Sequence, residues 1–317
     1  MYGDLVLAPM DGFSDLPFRS LCREHGSAMS YTAFVSAQSI LDGSPHAQRE
    51  LRYRTEERPV VFQIFDDSPE RLLAAALRVL PLGPDILDIN MGCSVRCVSG
   101  RGAGAGLLRQ PAKIGSILRS LTRALPIPVT AKIRLGWDDA SRNYLQVARI
   151  IEDSGGAAIA VHARTRAQGY GGQADWDAIA AVRQAVRIPV LGNGDVRELA
   201  DIDRLLAHTG CQAVMIGRGS MGNPWIFSRR PRRCVSAAEV AAVIEEHLAR
   251  MLEHHGPERA VILFRKHLTR YLEVRPPDGE LRSRLLAAET SESLRAALAE
   301  AGLGVAPAPA SRLAVAA

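Results

Sequence analysis

Eight short apolar runs, separated by segments of helical periodicity, lie between residues 5 and 216 of this 317-residue chain. They fall at 5–8, 28–34, 60–65, 86–90, 129–134, 158–162, 190–193 and 213–216. They are predominantly apolar rather than strictly alternating, which is the pattern of a parallel strand covered on both faces. Helical patterns at 69–80, 114–125, 144–154, 176–185 and 200–209 stand between them. Eight βα units in succession predict an α/β fold, a closed (β/α)8 TIM barrel. The alternative is a doubly wound open sheet, whose dinucleotide fingerprint is approached by Gly100-x-Gly-x-x-Ala105. Its context is wrong, because the strand ends ten residues earlier and no helix opens at the second glycine.

After Phe227 the pattern changes. The basic run Arg229-Arg-Pro-Arg-Arg233 reads as a linker, and residues 236–303 carry amphipathic helical periodicity only. Breaks at Gly256, Pro276-Pro277 and Thr290 divide that stretch into a small helical bundle. The expected organisation is therefore a barrel over 1–228, a basic linker over 229–235 and a bundle over 236–303. The tail at 304–317, with its Ala-Pro repeats, is too poor in packing residues to be ordered.

A hydrophobic content of 47% is enough for a sizeable core. No apolar run reaches the length of a membrane helix, and Met1-Tyr-Gly-Asp4 lacks a signal peptide's basic-then-apolar pattern. The expectation is a cytoplasmic protein with no membrane association. Five scattered cysteines (22, 93, 97, 211 and 234) argue against a disulfide framework. Cys93 and Cys97 are four apart, but no second Cys or His pair nearby completes a zinc site, so no metal is expected. The net charge of +5 is compatible with a polyanionic partner without requiring one. Nearly all of the positive charge is arginine, lysine occurring only at 113, 132 and 266, and guanidinium groups suit phosphate contacts.

In parallel α/β folds, residues at the C-terminal ends of strands face the ligand. The fourth run ends in Asp88-Ile-Asn-Met-Gly-Cys93, placing a thiol where it can exchange a proton or attack carbon. A lone cysteine is more often a small core residue, so its weight comes from the company it keeps. The seventh run ends in Gly192-Asn-Gly-Asp195 and the eighth in Gly217-Arg-Gly219, at the two strand ends where barrels commonly hold a phosphate. Lys132 stands inside an apolar strand, where it is costly to bury unless it meets a charge such as an anionic reduced flavin. Gln63 is likewise polar within an apolar strand, and its amide suits the edge of a flavin or pyrimidine ring. His162 closes the sixth run; taken alone, it reads equally well as a core histidine bonded to backbone.

Seven motifs appear together and in order: Leu7-Ala-Pro-Met-Asp-Gly-Phe-Ser-Asp-Leu-Pro-Phe-Arg19, Val61-Phe-Gln-Ile-Phe65, Asp88-Ile-Asn-Met-Gly-Cys93, Lys132-Ile-Arg-Leu-Gly-Trp137, His162-Ala-Arg-Thr-Arg166 with Gln168-Gly-Tyr170, Gly192-Asn-Gly-Asp195, and Gly217-Arg-Gly219 followed by Asn223-Pro-Trp225. In these motifs the chain resembles the tRNA-dihydrouridine synthases, and Arg265-Lys-His267 with Tyr271 resembles that family's C-terminal bundle. The resemblance implies an FMN-bound barrel and a tRNA-docking helical domain. The implied reaction reduces the C5–C6 double bond of particular tRNA uridines, with NADPH as transient electron donor. Carried over residue by residue, Ala8, Pro9 and Met10 line the flavin, and Gln63, Lys132 and His162 meet it. Asn193, Gly194 and Asp195, with Gly217 and Arg218, hold its phosphate. Cys93 is the general acid that protonates C5, and Asn90, Arg134 and Arg164 attend the substrate.

A thiol of ordinary pKa is protonated at neutral pH and suits the role of acid. The uracil has to leave its stack to reach a barrel mouth, and the glycine-rich loop 100–106 is a candidate mobile cover. The chain departs from the family pattern at Ala33, where a glutamate is usual, and at Ser94, where a proline is usual. Cys97 and Gly100 stand where basic residues are frequent. Two other classes stay open at this point: an FMN barrel reductase of a small enone or pyrimidine, and a flavin- and tRNA-binding module without turnover. No stable protein partner is predicted.

Overall fold

The computed structural model describes residues 3–274, 276–305 and 315–316. Eight strands form the barrel wall: β1 (Leu5–Leu7), β2 (Ser30–Tyr31), β3 (Val60–Phe65), β4 (Ile86–Met91), β5 (Val129–Arg134), β6 (Ile159–His162), β7 (Val190–Asn193) and β8 (Ala213–Ile216). All pair in parallel, in the order β1-β8-β7-β6-β5-β4-β3-β2. The ring closes between β2 and β1 through Ala28, whose N–H donates to Leu5 O at 2.8 Å, and Ser27, whose Oγ accepts from Leu7 N–H at 3.0 Å. The expected 28–34 strand is shorter and split, with Val35–Ser36 as a second short piece along β3. The break has a local cause: the Gln63 N–H is taken by the Thr32 hydroxyl at 3.1 Å instead of a backbone carbonyl.

The outer wall is built by α1 (Leu16–Glu24), α2 (Pro69–Val79), α3 (Pro111–Ala124), α4 (Tyr144–Asp153), α5 (Trp176–Ala185) and α6 (Leu199–Thr209). Asp15 caps α1 by accepting from Phe18 N–H, and Ser68 caps α2 by accepting from Arg71 N–H, with a proline in each first turn. The alternation of strand and long helix is not complete. Two short helices, Ala37–Leu41 and Pro45–Glu50, follow β2, and β8 is followed only by the tight turns Arg218–Ser220 and Pro224–Ser228. Gly222, between these two turns, lies at φ +67°, and a Cβ there would lie 2.5 Å from the Arg270 carbonyl, so the C-terminal helices pack where an eighth helix would run.

Two layers of apolar side chains result. The larger fills the space between wall and helices, while Val6, Ala8, Met29, Tyr31, Val61, Ala160, Leu191, Ala213 and Met215 fill the barrel interior. The interior set recurs every second residue, as the strand period requires. Continued two residues towards the strand C-termini, the same inward face becomes polar: Gln63 after Val61, His162 after Ala160, and Asn193 after Leu191.

The C-terminal domain consists of α7 (Ala237–His255), α8 (Pro257–Tyr271), α9 (Gly279–Ala287) and α10 (Ser291–Glu300). Ser236 and Glu239 make a reciprocal capping box at the start of α7, and Thr290 caps α10. The basic run before α7 is tied down on both sides. Arg229 pairs with Asp4 and Asp203 at 2.5 and 2.8 Å, and Arg230 pairs with Glu239 at 2.5 Å. Of the tail expected at 304–317, only Gly304, Val305 and the pair 315–316 fall within the described residues; the pair lies antiparallel to Tyr53–Arg54. Among the described residues, no helix is long and apolar enough to cross a membrane.

Candidate active site

Strand register gathers the polar residues at one mouth. Gln63 is the backbone partner of Asp88, Asn90 of Lys132, and His162 of both Arg134 and Asn193. A continuous hydrogen-bond chain joins the first of these to Cys93. Thr130 Oγ1 donates to Asp88 Oδ1 at 2.6 Å, Gln63 Nε2 donates to Asp88 Oδ2 at 2.7 Å, and Asn90 Nδ2 donates to Gln63 Oε1 at 2.9 Å. Asn90 Oδ1 then accepts the backbone N–H groups of Gly92 and Cys93, at 3.0 and 2.8 Å. Asn90, expected beside the uracil, therefore has its side-chain oxygen engaged in setting the Cys93 turn.

Arg134, expected on substrate, is buried behind the same turn. Its Nε donates to Gly92 O at 2.8 Å, and its Nη1 donates to Thr165 O and Gly169 O at 3.0 and 2.8 Å. Burial lowers its pKa to about 10. Cys93 is half-buried against Phe34, Phe65, Val98 and Ala103. That burial raises its thiol above the ordinary value, against a smaller opposing pull from the Val95 backbone N–H, so the thiol is the neutral, proton-bearing form near pH 7.

The loop 100–106, expected as a mobile cover, is folded against Cys93 instead. Ala105 N–H donates to Cys93 O at 3.1 Å, and Gly104, at φ +54°, is so close that a Cβ would lie 3.0 Å from Cys93 Cβ and from Val98 Cγ1. Residues 104–106 lie in the short helical turn Gly104–Arg109 and are buried, while Gly100 and Arg101 are exposed.

Deeper in the mouth, Lys132 Nζ is buried and donates to Asn193 Oδ1 at 3.1 Å. Burial, reinforced by Arg134 and opposed by Asp88, brings its pKa down to about 8. His162 is driven well below the ordinary histidine value by burial and then by the cations of Lys132, Arg134, Arg164 and Arg218. Asn193 Nδ2 donates to Met215 O at 2.7 Å, joining β7 to β8. Gly217 has no Cβ to fill the space beside Ala8 and Met10; one built there would stand 3.7 Å from Ala8 Cβ and 3.4 Å from Met10 Sδ. Pro9, between Ala8 and Met10, is half-buried.

At the other side of the mouth, Asp195 adopts φ +55°, rare for a non-glycine residue. Its carboxylate faces inward. It accepts from Arg164 Nη2 at 2.7 and 2.8 Å and from Ala174 N–H at 2.7 Å, with Arg218 at 3.6 Å. These bonds, outweighing the opposite effect of burial, hold it below the usual carboxylate range. Arg164, expected on substrate, is thus buried behind Asp195, with further bonds to Gly171 O and Gly172 O. Its Nη1 is buried and unpartnered.

Two features were not legible as site residues. Asp88 is fully buried and its pKa is lifted by burial to about 6, with the hydrogen bonds from Thr130 and Gln63 and the charge of Lys132 pulling it back down. Counting back two from Asn90 along the inward face would have found it. Tyr170 is exposed at the mouth, with Arg134 and Arg218 over its ring at 5.6 and 4.9 Å and His162 at 6.1 Å. Trp137 carries a similar pair, Arg109 at 4.9 Å and Arg166 at 4.4 Å.

The chemistry of these residues is compatible with a flavin. Side chains from β3, β5 and β6 and the segment after β1 share the mouth with glycine-bearing turns after β7 and β8. Lys132 supplies a buried cation, and the Gly217 cradle lies next to Ala8 and Met10. The family model for dihydrouridine synthase matches residues 6–303. A protein named tRNA-dihydrouridine synthase B from Pseudomonas aeruginosa is 41% identical over 287 residues, covering 88% of this chain and 86% of its own. Its namesake from Pseudomonas putida is 39% identical over 298 residues, covering 92% and 88%. Among solved structures, histamine dehydrogenase from Rhizobium sp. 4-9 superimposes with a TM-score of 0.53 at 11% identity, over 82% of this chain and 47% of that one. That likeness concerns the barrel fold alone.

Proposed function

The chain belongs to the dihydrouridine synthase family, and from that membership we propose that it reduces the C5–C6 double bond of specific uridines in tRNA, using bound FMN recharged by NADPH. The observation that carries this reading is the chain of bonds from Thr130 through Asp88, Gln63 and Asn90 to the Cys93 backbone. It fixes the backbone turn that carries a neutral thiol at the C-terminal end of β4, on the same side of the barrel as the residues that would suit a flavin.

Bound FMN would supply hydride to C6 of the uracil. Cys93 gives its proton to C5 and is reprotonated from solvent, so that one hydride and one proton saturate the bond. Burial in an apolar shell keeps that proton on sulfur until it is needed. Asn90 and Arg134 fix the turn carrying Cys93 from two sides. Lys132 would supply positive charge to the isoalloxazine, and neutral His162 could offer it a hydrogen bond without adding to that charge. Asn193, Gly194, Gly217 and Arg218 would hold the phosphate, while Asp195 would act through Arg164 and Arg218, since a carboxylate would repel a phosphate directly.

The acceptor being RNA is supported by arginines on loops of this one mouth. Arg96 and Arg101 follow β4, Arg109 precedes α3, Arg166 follows β6 and Arg218 follows β8. Exposed Tyr170, with Arg134 and Arg218 near its ring, adds an aromatic side chain of the kind that unstacked bases favour.

The test is dihydrouridine formation on unmodified tRNA with NADPH, read by nucleoside mass spectrometry. Product is expected, and reoxidation of the reduced protein should depend on tRNA and weaken steeply with salt. Product absent from a protein holding reducible flavin, with fast reoxidation by a small enone at any salt, would replace this reading with a small-molecule reductase.

A further inference from the structure

Away from the mouth, the junction of barrel and helical domain holds a second group of chemically capable side chains. Asp15 N-caps α1, His247 lies in the middle of α7, and His267 lies in α8. One ligand atom from each lies within 4.8 Å of the others, and all three side chains are buried. Among the described residues this is the one such cluster of three.

Its hydrogen bonding is incomplete in a specific way. Neither ring nitrogen of His267 has a partner, and neither does His247 Nε2, although both residues are fully buried. Leaving an imidazole donor and acceptor dry is costly, and three such atoms belong to the two histidines clustered with one carboxylate. The outward-facing atoms, by contrast, are supported. His247 Nδ1 lies 3.0 Å from the Tyr271 hydroxyl, and Asp15 Oδ2 lies 2.9 Å from His255 Nε2. The remaining Asp15 oxygen accepts from Phe18 N–H at 3.2 Å.

We infer that Asp15, His247 and His267 form a structural site for a divalent transition cation of the zinc class, which pins the helical domain to the barrel. Two imidazoles and one carboxylate are a ligand set such ions accept, with a fourth position left for water. A cation on His247 Nε2 makes Nδ1–H the donor to Tyr271, and one on Asp15 leaves Oδ2 to His255, the outer bonds that orient metal ligands. Burial keeps both imidazoles in the lone-pair-bearing neutral form, His267 down to about 4 and His247 well below the ordinary value. The ligands come from three elements of two domains, so the ion is acquired as they dock. This site is independent of the reaction proposed above.

The full-length protein, expressed in medium supplied with zinc or with cobalt and passed through chelator and gel filtration, carries one equivalent of metal per chain by mass spectrometry of the elements. The cobalt form shows the visible ligand-field bands of a low-coordinate site. H267Q and H247Q lose the metal, whereas H208Q, altered at an exposed histidine paired with Asp177, keeps it. Flavin absorbance reports that each variant is folded. Wild-type protein free of metal, or holding the same amount as folded H267Q, overturns the inference. If both glutamine variants fail to fold, the cobalt spectrum of the wild type alone decides: its presence supports the site and its absence removes it.

Discussion

Asn90 Oδ1 accepts the backbone N–H of Cys93 at 2.8 Å, while the amide of the same side chain donates to Gln63. One residue therefore converts the rigidity of the barrel interior into the aim of a thiol on its rim. Asn90→Ala is expected to leave flavin content unchanged and lower single-turnover product formation by about 10- to 100-fold, the scale on which small misplacements of a catalytic group act. Gly104→Ala should act from the other side, since its Cβ would press on Cys93 and its backbone would be strained. A Gly104→Ala protein with wild-type turnover would show that the Cys93 position is not critical.

Cys93→Ala is expected to bind flavin and accept electrons from NADPH normally, yet form product at least about 100-fold more slowly, as loss of a general acid predicts. In the wild type the thiol is held above its ordinary value by burial. The rate should consequently stay level through neutral pH and fall only when pH exceeds the usual thiol range. A fall beginning near pH 7 would point to a different acid.

Burial brings the Lys132 pKa down to about 8, and among the described residues its ammonium is bonded to the Asn193 side-chain oxygen alone. Lys132→Met should make the bound flavin harder to reduce, moving its midpoint potential negative by about 30 mV or more, the two-electron equivalent of about 1.4 kcal/mol. Spectroelectrochemistry measures this without turnover.

Asp88 gives a stability prediction. Its folded pKa, about 6, lies above its unfolded value of about 4, so the folded state binds the extra proton between them. The stabilisation from that proton is complete below about pH 4 and is lost as pH rises through about 6. Asp88→Asn can accept from Gln63 and donate to Thr130. It should remove this dependence, gaining on the wild type by about 2 kcal/mol between pH 4 and 7, an upper figure that water penetration and the Lys132 charge reduce. Urea midpoints at several pH values test it; parallel curves would mean that Asp88 does not titrate in this window.

Arg19 and Glu57 are both buried and bonded at 3.0 Å, with Arg19 also donating to Ser14 O and Arg52 O. Arg19→Met leaves a buried carboxylate without its cation and should cost about 3–5 kcal/mol of stability. Adding Glu57→Gln should restore part of that loss, which a double-mutant cycle by thermal denaturation would measure.

The sequence by itself determined the barrel and the identity of most mouth residues. Continuous apolar runs and the glycines that end them are local signals, as the matches of β3, β5, β7 and β8 to their expected positions illustrate. Family resemblance added the chemistry of Cys93. What the tertiary structure decided was how these residues face one another. Strand register, a non-local property, turns Asn90 and Arg134 into supports for Cys93 and sets Arg164 behind Asp195. Packing density at Gly104 makes a presumed cover into a buttress. The cluster of Asp15, His247 and His267 lay beyond sequence reasoning for the same reason: Asp15 stands more than two hundred residues from both histidines along the chain, and only the docking of α7 and α8 on α1 brings the three within reach of one ion.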